Sequence, residues 1–284
     1  ERPPRRSWWV PVYGVTSVVL AGVPLVALAA GLGVVASWAL HADRLRDVAV
    51  RAVILLPAAT LTSLLVFAAI TVVGVRALAI GMHQGYHPVR SRVGWQVWAT
   101  ERLMDSARTY LFPLYASLLT PVWFRLLGAD IGRGAEISTA LVIPKFTSVG
   151  DGAFLADDTM VASYELGGGW VHIDEARIGK RAFLGNSGMT GPGRKVPKNS
   201  LVAVLSATPD KAKSGTSWLG SPPVRLRRAV ADTDSSRTFD PPRRLKVARA
   251  AVETLRLIPV MLSFGLGLFV LLGLQYIASQ SSFW

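Results

Sequence analysis

The chain has 284 residues, of which 51% are hydrophobic and 17% charged, and its formal net charge is +13. It contains no cysteine, which excludes a disulfide framework, a thiolate nucleophile and a cysteine-bound zinc site. A chain this basic and this apolar is unusual for a soluble enzyme, so its charges must be separated from its apolar segments.

Three long apolar segments, 8–40, 52–75 and 257–278, contain no charged side chain. Even the shortest, with 22 residues, gives a helix about 33 Å long, enough to cross a hydrocarbon core of about 30 Å. The first is about twice as long as the apolar region of a signal peptide, so we expect it to be retained. The sequence therefore predicts three transmembrane helices.

The basic residues predict the orientation of these helices. Between Arg76 and Arg256 the chain has 25 Lys and Arg against 15 Asp and Glu, and cytoplasmic segments beside a span are enriched in Lys and Arg. We therefore expect the N-terminus and the central domain in the cytoplasm. The turn near residue 45 and the C-terminus are then outside, and the chain lies in the plasma (inner) membrane.

After the second apolar segment, residues 81–129 alternate apolar and aromatic side chains with Arg at helical spacing. Helices of this kind lie in the headgroup plane of a membrane or pack under a neighbouring domain. Both arrangements are compatible with the pattern.

From Ile131 onward, ten of eleven positions in a six-residue register are aliphatic, with Thr190 as the exception, and each position is followed by a small residue or proline. The repeat positions are Ile131, Ile137, Ile143, Val149, Leu155 and Val161, then Ile178, Leu184, Thr190, Val196 and Val202. A six-residue repeat is typical of a left-handed parallel β-helix, in which three short strands form each triangular coil of about 18 residues. The fold class predicted for the chain is membrane α-helical spans plus this β-helix.

Five segments follow from these patterns. They are an N-terminal tail with two transmembrane helices (1–80), connector helices (81–129), a β-helical domain with a C-terminal extension (130–224), a linker and basic helix (225–256), and a third transmembrane helix (257–284). Because the chain starts at Glu1 without a methionine, we expect it to be part of a longer or processed protein.

The six-residue register breaks between Val161 and Ile178, which are 17 positions apart, so we expect a loop to replace part of one coil. The intervening sequence ASYELGGGWVHIDEAR includes three consecutive glycines, Gly167, Gly168 and Gly169. Such a run indicates backbone with unusual dihedral angles or a close approach to a ligand.

Within this loop His172 is a candidate general base, because imidazole titrates near neutral pH. Alternatively it is a surface histidine bonded to a carboxylate, or it fills the repeat position before Ile178. Glu165 occupies a register slot that is otherwise neutral, so it is a candidate to orient His172, to act as the base or to bind an ammonium group. A salt bridge from Glu165 to Arg177 or Lys180 is the structural alternative.

Two further residues complete the candidate catalytic set, Tyr164 beside Glu165 and Asn186 on the next coil. Asn186 can donate a hydrogen bond to a developing oxyanion, although asparagine in a β-helix more often caps or ladders with adjacent turns. The candidate substrate-binding residues are Asp174, Glu175, Gly167, Gly168, Gly169 and Trp170.

Basic residues after the loop, Arg194, Lys195 and Lys198, are candidates to bind the phosphates of a carrier's pantetheine arm or of coenzyme A. They can equally face anionic lipid. Nucleic acid is disfavoured because no aromatic platform or DNA-binding module accompanies the basic runs. No metal site is predicted, since His83 and His87 have no carboxylate nearby in the sequence.

Several segments in their order along the chain, from about Met82 to Pro223, are similar to a known family. They are HPVRSRVGWQVW, RLMD, LFPLYASLLTP, LGADIGRGAEIST, SYELGGGW, IGKRAFLGNSGMTGPG, LVAVLSATP and SWLGSPP. This sequence resembles the C-terminal membrane region of ε-poly-L-lysine synthetase and related membrane-bound nonribosomal peptide synthetases, whose β-helical domains are acyltransferase-like.

The resemblance implies that this region forms amide (isopeptide) bonds between a carrier-bound aminoacyl thioester and the amine of an amino acid or growing chain. It implies carrier and adenylation domains as partners, ATP use only by the adenylation domain, and no cofactor bound here beyond the carrier's phosphopantetheine thioester. This chain departs from the family pattern: it has one β-helix and three transmembrane spans, whereas the family has three β-helical domains and six spans. A trimer or pseudo-trimer of β-helices is expected.

Two alternatives stay open at this point. A coenzyme A-dependent hexapeptide acetyltransferase would use the same fold with a different acyl donor. A noncatalytic membrane scaffold for synthesis or export would use the β-helix only for docking.

Overall fold

The computed structural model describes residues 3, 6–39, 41, 45–227 and 241–281. Most of the predicted linker, and parts of the predicted N-terminal tail and of the turn near residue 45, lie outside the described residues. The chain divides into two compact units, residues 1–20 with 71–250 and residues 21–70 with 251–284.

The helices of the described residues are α1 (Trp9–Ala39), α2 (Leu45–Leu78), α3 (Arg92–Tyr110), α4 (Thr120–Leu127), α5 (Arg243–Thr254) and α6 (Leu257–Ser281), with short 3-10 turns at Phe112–Leu114 and Pro144–Phe146. Among the described residues, three helical stretches are long and apolar enough to cross a membrane: Trp9–Trp38, Arg46–Leu78 and Arg243–Ala278. The predicted apolar helices are thus confirmed as helices, and their insertion into a membrane stays a prediction.

The smaller unit is built by close packing of α1 and α2. A Cβ placed on Gly31 would lie 2.7 Å from the carbonyl oxygen of Ala59, and the Ser63 hydroxyl donates to the Ala27 carbonyl at 2.8 Å. Leu268 of α6 packs against the same small-residue contact. Small side chains permit this approach, which is a common way for helices to associate in a membrane.

Three parallel sheets form the faces of a prism in the larger unit. The first face consists of β2 (Asp130–Ile131), β5 (Thr147–Val149), β10 (Ala176–Ile178) and β13 (Lys195–Val196). The second face consists of β3 (Glu136–Ile137), β6 (Phe154–Leu155), β11 (Phe183–Leu184), β14 (Leu201–Val202) and β15 (Ser217–Leu219), and β16 (Val224–Leu226) pairs antiparallel at its edge. The third face consists of β4 (Ala140–Val142), β7 (Thr159–Val161) and β12 (Met189–Thr190). The predicted parallel β-helix is confirmed by this strand order.

Repeat positions stack directly above one another and fill the prism. On the first face Ile131 pairs with Val149, Val149 with Ile178, and Ile178 with Val196. Leu155 and Leu184, adjacent rungs of the second face, are both fully buried. Burial of these columns, which are aliphatic except at Thr190, removes apolar surface from water and stabilises the prism.

The third face shifts by one residue in its first coil. Val142, and not Ile143, pairs with Val161, because the 3-10 turn at Pro144–Phe146 takes up the extra residue at the corner. Ile143 packs instead in an apolar cluster with Phe146 and Val171. The assignment of Ile143 to the prism interior was therefore wrong by one position.

The small residues after each repeat position are required by the spacing of successive coils. A Cβ on Gly150 would lie 2.6 Å from the backbone nitrogen of Lys180, and one on Gly179 would lie 2.6 Å from the backbone nitrogen of Lys198. Real Cβ contacts are not this short. Small residues therefore follow the repeat positions because the backbone there lies directly against the backbone of the next coil.

The break in the register is an insertion into a complete coil. Val149 pairs with Ile178, 29 positions along, whereas Ile131 pairs with Val149, 18 positions along. The eleven extra residues form a hairpin at the corner between the third and first faces, with strands β8 (Tyr164–Gly167) and β9 (Trp170–Ile173). The expectation that the loop replaces part of a coil was wrong, because the coil closes beneath the hairpin.

A third strand and a helix hold this hairpin in place. Strand β1 (Gly85–Pro88) pairs antiparallel with β9, and helix α3 begins after Ser91, whose hydroxyl caps it by accepting the Gly94 N–H at 3.2 Å. The inner face of the hairpin packs on α3 and on the first coil through the cluster Met82, Val93, Val97, Ile143, Phe146, Val171 and Ile173. Helix α3 therefore packs on the β-helical domain.

The coil spacing predicts how two glycine substitutions differ. Gly150→Ala places a methyl group against the backbone of the next coil and is expected to reduce the free energy of unfolding by about 1–3 kcal/mol. Gly167→Ala, at a position with nothing within 4 Å of the added Cβ, is expected to change it by less than about 0.5 kcal/mol. Thermal unfolding followed by circular dichroism measures both, and equal losses would contradict the spacing constraint.

Candidate functional site

The outer face of the hairpin carries a carboxylate, an imidazole and a phenol side by side. Glu165 of β8 and Tyr86 of β1 are both directly opposite His172 of β9 in the three-stranded sheet. Directly paired residues in a sheet point to the same side. The rings of Tyr86 and His172 stack with their centroids 4.3 Å apart and their planes 14° apart.

Glu165 and His172 are available to a ligand. Within the described residues, neither side chain makes a hydrogen bond or an ion pair. The Glu165 carboxylate extends toward the next coil, where a Cβ on Gly191 would lie 3.1 Å from its Oε1 atom. The structure thus brings together the two principal residues of the predicted site, and their catalytic roles stay predictions.

Tyr164 lies on the other face of the hairpin. Successive residues of a strand point to opposite sides, so Tyr164 faces α3 and donates a hydrogen bond to Oε1 of Glu101 at 2.7 Å. Burial raises the pKa of the Tyr164 phenol, and the hydrogen bond to Glu101 and the charge of Glu101 raise this pKa further. The grouping of Tyr164 with His172 in one catalytic set was therefore wrong.

Two of the three glycines, Gly168 and Gly169, are explained by the turn of the hairpin. Gly168 and Gly169 have φ of +58° and +88° and connect the paired residues Gly167 and Trp170. A two-residue turn with positive φ at both positions matches the twist of a hairpin and strongly favours glycine. The Gly169 carbonyl also accepts the Val89 N–H at 2.9 Å.

Asp174 and Glu175 already have partners at the base of the hairpin. The Asp174 carboxylate accepts the Glu175 N–H at 2.7 Å, and Glu175 forms an ion pair with Arg177. The hydrogen bond and the negative charge of Glu175 raise the pKa of the exposed Arg177. The alternative that Arg177 pairs with Glu165 was therefore wrong.

Asn186 lies at a different corner of the prism from the hairpin. It follows β11 at the corner between the second and third faces, where its carbonyl accepts the Leu205 N–H at 2.9 Å. The hairpin leaves the prism one full face later. The expectation that Asn186 reaches the loop was wrong because six residues carry the chain from one corner to the next.

A basic depression lies on the first face beyond the hairpin. Its volume is about 620 Å³, and its lining includes four lysines, Lys180, Lys195, Lys198 and Lys211. Gly193 also lines it, and a Cβ on Gly193 would lie 2.9 Å from Oδ2 of Asp174. The depression therefore adjoins the base of the hairpin.

Arg194 does not line this depression with the lysines. Its guanidinium forms an ion pair with Asp210 at 2.9 Å and donates to the Thr208 carbonyl at 3.0 Å. Of the three predicted phosphate-binding residues, the structure brings Lys195 and Lys198 together. Arg194 is already engaged by an acid and a carbonyl.

A second cavity, the α3 cleft, was missed by sequence reasoning. Its volume is about 260 Å³, and it lies between α3 and the third face of the prism, where Glu101, Arg102, Asp105, Arg108, Leu141, Met160 and Tyr164 contribute to its lining. Asp105 and Arg108 form an ion pair at 2.8 Å. The spacing of Glu101 and Asp105, four residues apart on a helix, was the available signal.

Tyr115 closes one side of the α3 cleft. Its hydroxyl accepts a hydrogen bond from Nε1 of Trp123 at 3.1 Å, and burial raises its pKa to about 12. The phenol thus remains protonated in the folded chain well above its ordinary range.

The chain is similar in sequence to one poly-amino-acid synthetase. Over 206 residues it is 34% identical to the delta-poly-L-ornithine synthetase of Acinetobacter baumannii (strain AB307-0294), and the match covers 70% of this chain and 16% of that protein. The chain thus spans about one-sixth of the length of the relative that it matches. The predicted resemblance is confirmed for a poly-amino-acid synthetase, and the match does not specify lysine.

Solved structures similar to the chain include two acetyltransferases. A maltose O-acetyltransferase from Clostridium difficile 630 matches over 53% of this chain and 95% of its own, with 11% identity and a TM-score of 0.38. A galactoside acetyltransferase in complex with coenzyme A matches over 56% of this chain and 81% of its own, with 14% identity and a TM-score of 0.32. No protein-family model matches the chain.

The raised pKa of Tyr115 predicts a pH dependence of stability. Below pH 10 the phenol is protonated in both states, whereas between pH 10 and 12 the unfolded chain loses this proton and the folded chain keeps it. The free energy of unfolding is therefore expected to fall by about 1.4 kcal/mol more between pH 9 and 11 than in Tyr115→Phe, which lacks the proton. Denaturant unfolding at both pH values measures the difference, and parallel profiles would contradict the assignment.

Proposed function

We propose that this chain is a membrane-anchored acyltransferase domain of a poly-amino-acid synthetase. It would form amide bonds between a carrier-bound aminoacyl thioester and the amine of an amino acid or growing chain. The observation that carries the proposal is the pair of Glu165 and His172 on the hairpin that interrupts the coil. Both face outward, and among the described residues neither side chain has a hydrogen bond or an ion pair. The sequence match to the poly-ornithine synthetase supports the choice of an amide product.

The reaction needs one proton acceptor close to the attacking amine. The neutral amine nitrogen attacks the thioester carbonyl, the new C–N bond forms, the C–S bond breaks, and the carrier sulfur leaves as a thiolate that takes the proton back from the imidazolium. The amine must lose one proton, which His172 accepts at its ring, while Glu165 stabilises the resulting imidazolium. Stacking on Tyr86 limits rotation of the ring. A thioester is already activated, so alignment of the two reactants and this proton transfer are the main catalytic tasks.

The basic depression is suited to the carrier's arm. The phosphate of a phosphopantetheine group is anionic, and four lysines surround the depression that adjoins the hairpin at Gly193. In this arrangement Lys195 and Lys198 bind the phosphate and the thioester extends toward His172. No ATP chemistry is assigned to this chain, because activation belongs to a separate adenylation domain.

The proposed substrate is a basic amino acid. The name of the sequence relative supports ornithine, and lysine differs from it by one methylene group. An unpaired carboxylate at Glu165 favours a substrate with an ammonium group over an acidic or neutral one. Asp174 and Glu175 are less suited to this role than Glu165, since each already has a partner.

The three apolar helices are proposed to anchor the domain in the plasma membrane with the prism on the cytoplasmic side. Carrier and adenylation domains, upstream in the same polypeptide or in separate chains, would supply the thioester. Association of prisms into a trimer or pseudo-trimer is part of this proposal. No role in binding nucleic acid is proposed.

The first functional test removes the proton acceptor. His172→Ala is expected to reduce aminolysis of the loaded carrier by about 100-fold or more, because a positioned general base contributes roughly that factor. Glu165→Gln keeps the size of the side chain and should cause a smaller loss, since the acceptor itself remains. The assay supplies the full chain in membranes with an aminoacyl-loaded carrier and free ornithine or lysine, and mass spectrometry quantifies the product.

The matched control is His87→Ala, a second histidine on the same sheet whose ring contacts His83 instead of Tyr86. It should retain the activity of the unmodified protein. If His172→Ala and Glu165→Gln are both fully active while the protein assembles normally in membranes, the domain is a scaffold. If the protein transfers an acetyl group from acetyl-coenzyme A and does not react with the loaded carrier, the assignment of the carrier thioester as the acyl donor is wrong.

A second test addresses the basic depression. The double variant Lys195→Glu with Lys198→Glu is expected to raise KM for the loaded carrier by about 10-fold or more at low salt, because it removes charged contacts to phosphate. The kcat should stay within about twofold if the variant affects binding alone. Steady-state kinetics at two salt concentrations measure both constants.

Lys213→Glu is the control, because Lys213 does not line the depression. It makes the same type of charge change on the same C-terminal tail that carries Lys211. An unchanged KM in the double variant, together with weaker binding to anionic vesicles, would show that the lysines face lipid and not a carrier.

A further inference from the structure

The α3 cleft contains one acid and one base that lack a charged partner. Glu101 accepts a hydrogen bond from the Tyr164 hydroxyl, and in the described part of the chain it forms no ion pair. Arg102 lines the same cleft and forms neither a hydrogen bond nor an ion pair there. Tyr164 lines the cleft together with Glu101 and Arg102, and the charges of both residues influence the pKa of its phenol.

A ligand that satisfies both groups must itself carry both charges. A carboxylate would pair with Arg102, because guanidinium binds carboxylates through two parallel hydrogen bonds. An ammonium group would pair with Glu101. In an α-amino acid these two groups are attached to the same carbon atom, and Glu101 and Arg102, which are adjacent in the sequence, both line the cleft.

The rest of the cleft is suited to a ligand with an aliphatic chain that ends in a polar group. Leu141 and Met160 project from the third face of the prism into the lining. One helical turn beyond Glu101 lies Asp105, at about 6 Å along the axis for four residues. Two carboxylates at this spacing suit the two amino groups of a diamino acid, while Arg108 shares Asp105 with the distal amine.

The size of the cleft is consistent with this ligand. A volume of about 260 Å³ corresponds to about nine water molecules at about 30 Å³ each. Ornithine and lysine have about that number of non-hydrogen atoms. A carrier arm or an oligomer would not be enclosed in this volume.

We propose that the α3 cleft is a binding site for a free α-amino acid with a basic side chain. It is separate from the face that carries His172, because Tyr164 and Glu165 point to opposite sides of the hairpin. Arg102 binds the carboxylate, Glu101 the α-ammonium and Asp105 the side-chain ammonium. The inference rests on the proposed function only for the choice of a basic side chain. The charges of Glu101 and Arg102 by themselves favour a ligand that carries both an ammonium group and a carboxylate, as every free α-amino acid does.

The test is calorimetric binding of lysine and ornithine to the full chain carrying His172→Ala, so that turnover does not contribute. Arg102→Gln is expected to weaken binding of lysine by about 10-fold or more, the effect of losing a charged hydrogen bond. The same variant should leave the binding of cadaverine unchanged, because cadaverine is lysine without its carboxylate. Glu101→Gln should weaken both ligands.

Arg133→Gln, on an exposed loop of the prism away from the cleft, is the matched control and should bind lysine as the parent does. Absence of binding of both amino acids up to about 10 mM, a free energy weaker than about −3 kcal/mol, would overturn the inference. Equal weakening of lysine and cadaverine by Arg102→Gln would overturn the assignment of the carboxylate to Arg102.

The two proposals fail separately. If no amino acid binds to the cleft but His172→Ala abolishes product formation, the acyltransferase proposal stands and the cleft proposal falls. If lysine binds with the expected dependence on Arg102 but His172→Ala is active, the cleft is retained and the catalytic assignment falls.

Discussion

The close stacking of one coil on the next is the constraint on which the rest of the β-helical unit depends. The coils are so near that the added Cβ atom of an alanine at Gly150 or Gly179 would meet the backbone of the following coil. The interior is equally full, because the repeat positions of successive coils are buried one above another and all but Thr190 are aliphatic. A chain packed in this way cannot absorb additional residues inside the prism, so any insertion has to leave at a corner.

The hairpin after Val161 is the consequence of this constraint. Its eleven extra residues leave the prism at one corner, pair with β1 as a third strand and pack on helix α3. Since neighbouring residues of a strand point to opposite sides, this insertion creates two different environments. Glu165 and His172 face outward on one side, and Tyr164 faces the α3 cleft on the other.

Ion pairs distinguish the charged side chains that are already engaged within the protein from those that can bind a ligand. Arg194 with Asp210, Arg177 with Glu175 and Arg108 with Asp105 are ion pairs near the surface, and pairs of this kind contribute little to stability. Glu165, Glu101 and Arg102 lack charged partners within the described ranges. Glu165 lies in the hairpin, and Glu101 and Arg102 lie on helix α3, on which the hairpin packs, which is why both proposed sites occur in this part of the molecule.

The sequence by itself determined the apolar helices, the six-residue repeat and the location of the break, because each depends on a periodic pattern that can be read along the chain. It also identified His172 and Glu165, since both lie in the break. Only the tertiary structure decided that Tyr164 turns away from His172, that Asn186 is at another corner, and that Arg194 is neutralised by Asp210. It also decided that Tyr86 stacks on His172 and that Glu101 and Arg102 line the α3 cleft. These facts depend on strand alternation, the six-residue step from corner to corner, and contacts between residues far apart in the chain, none of which a local sequence pattern contains.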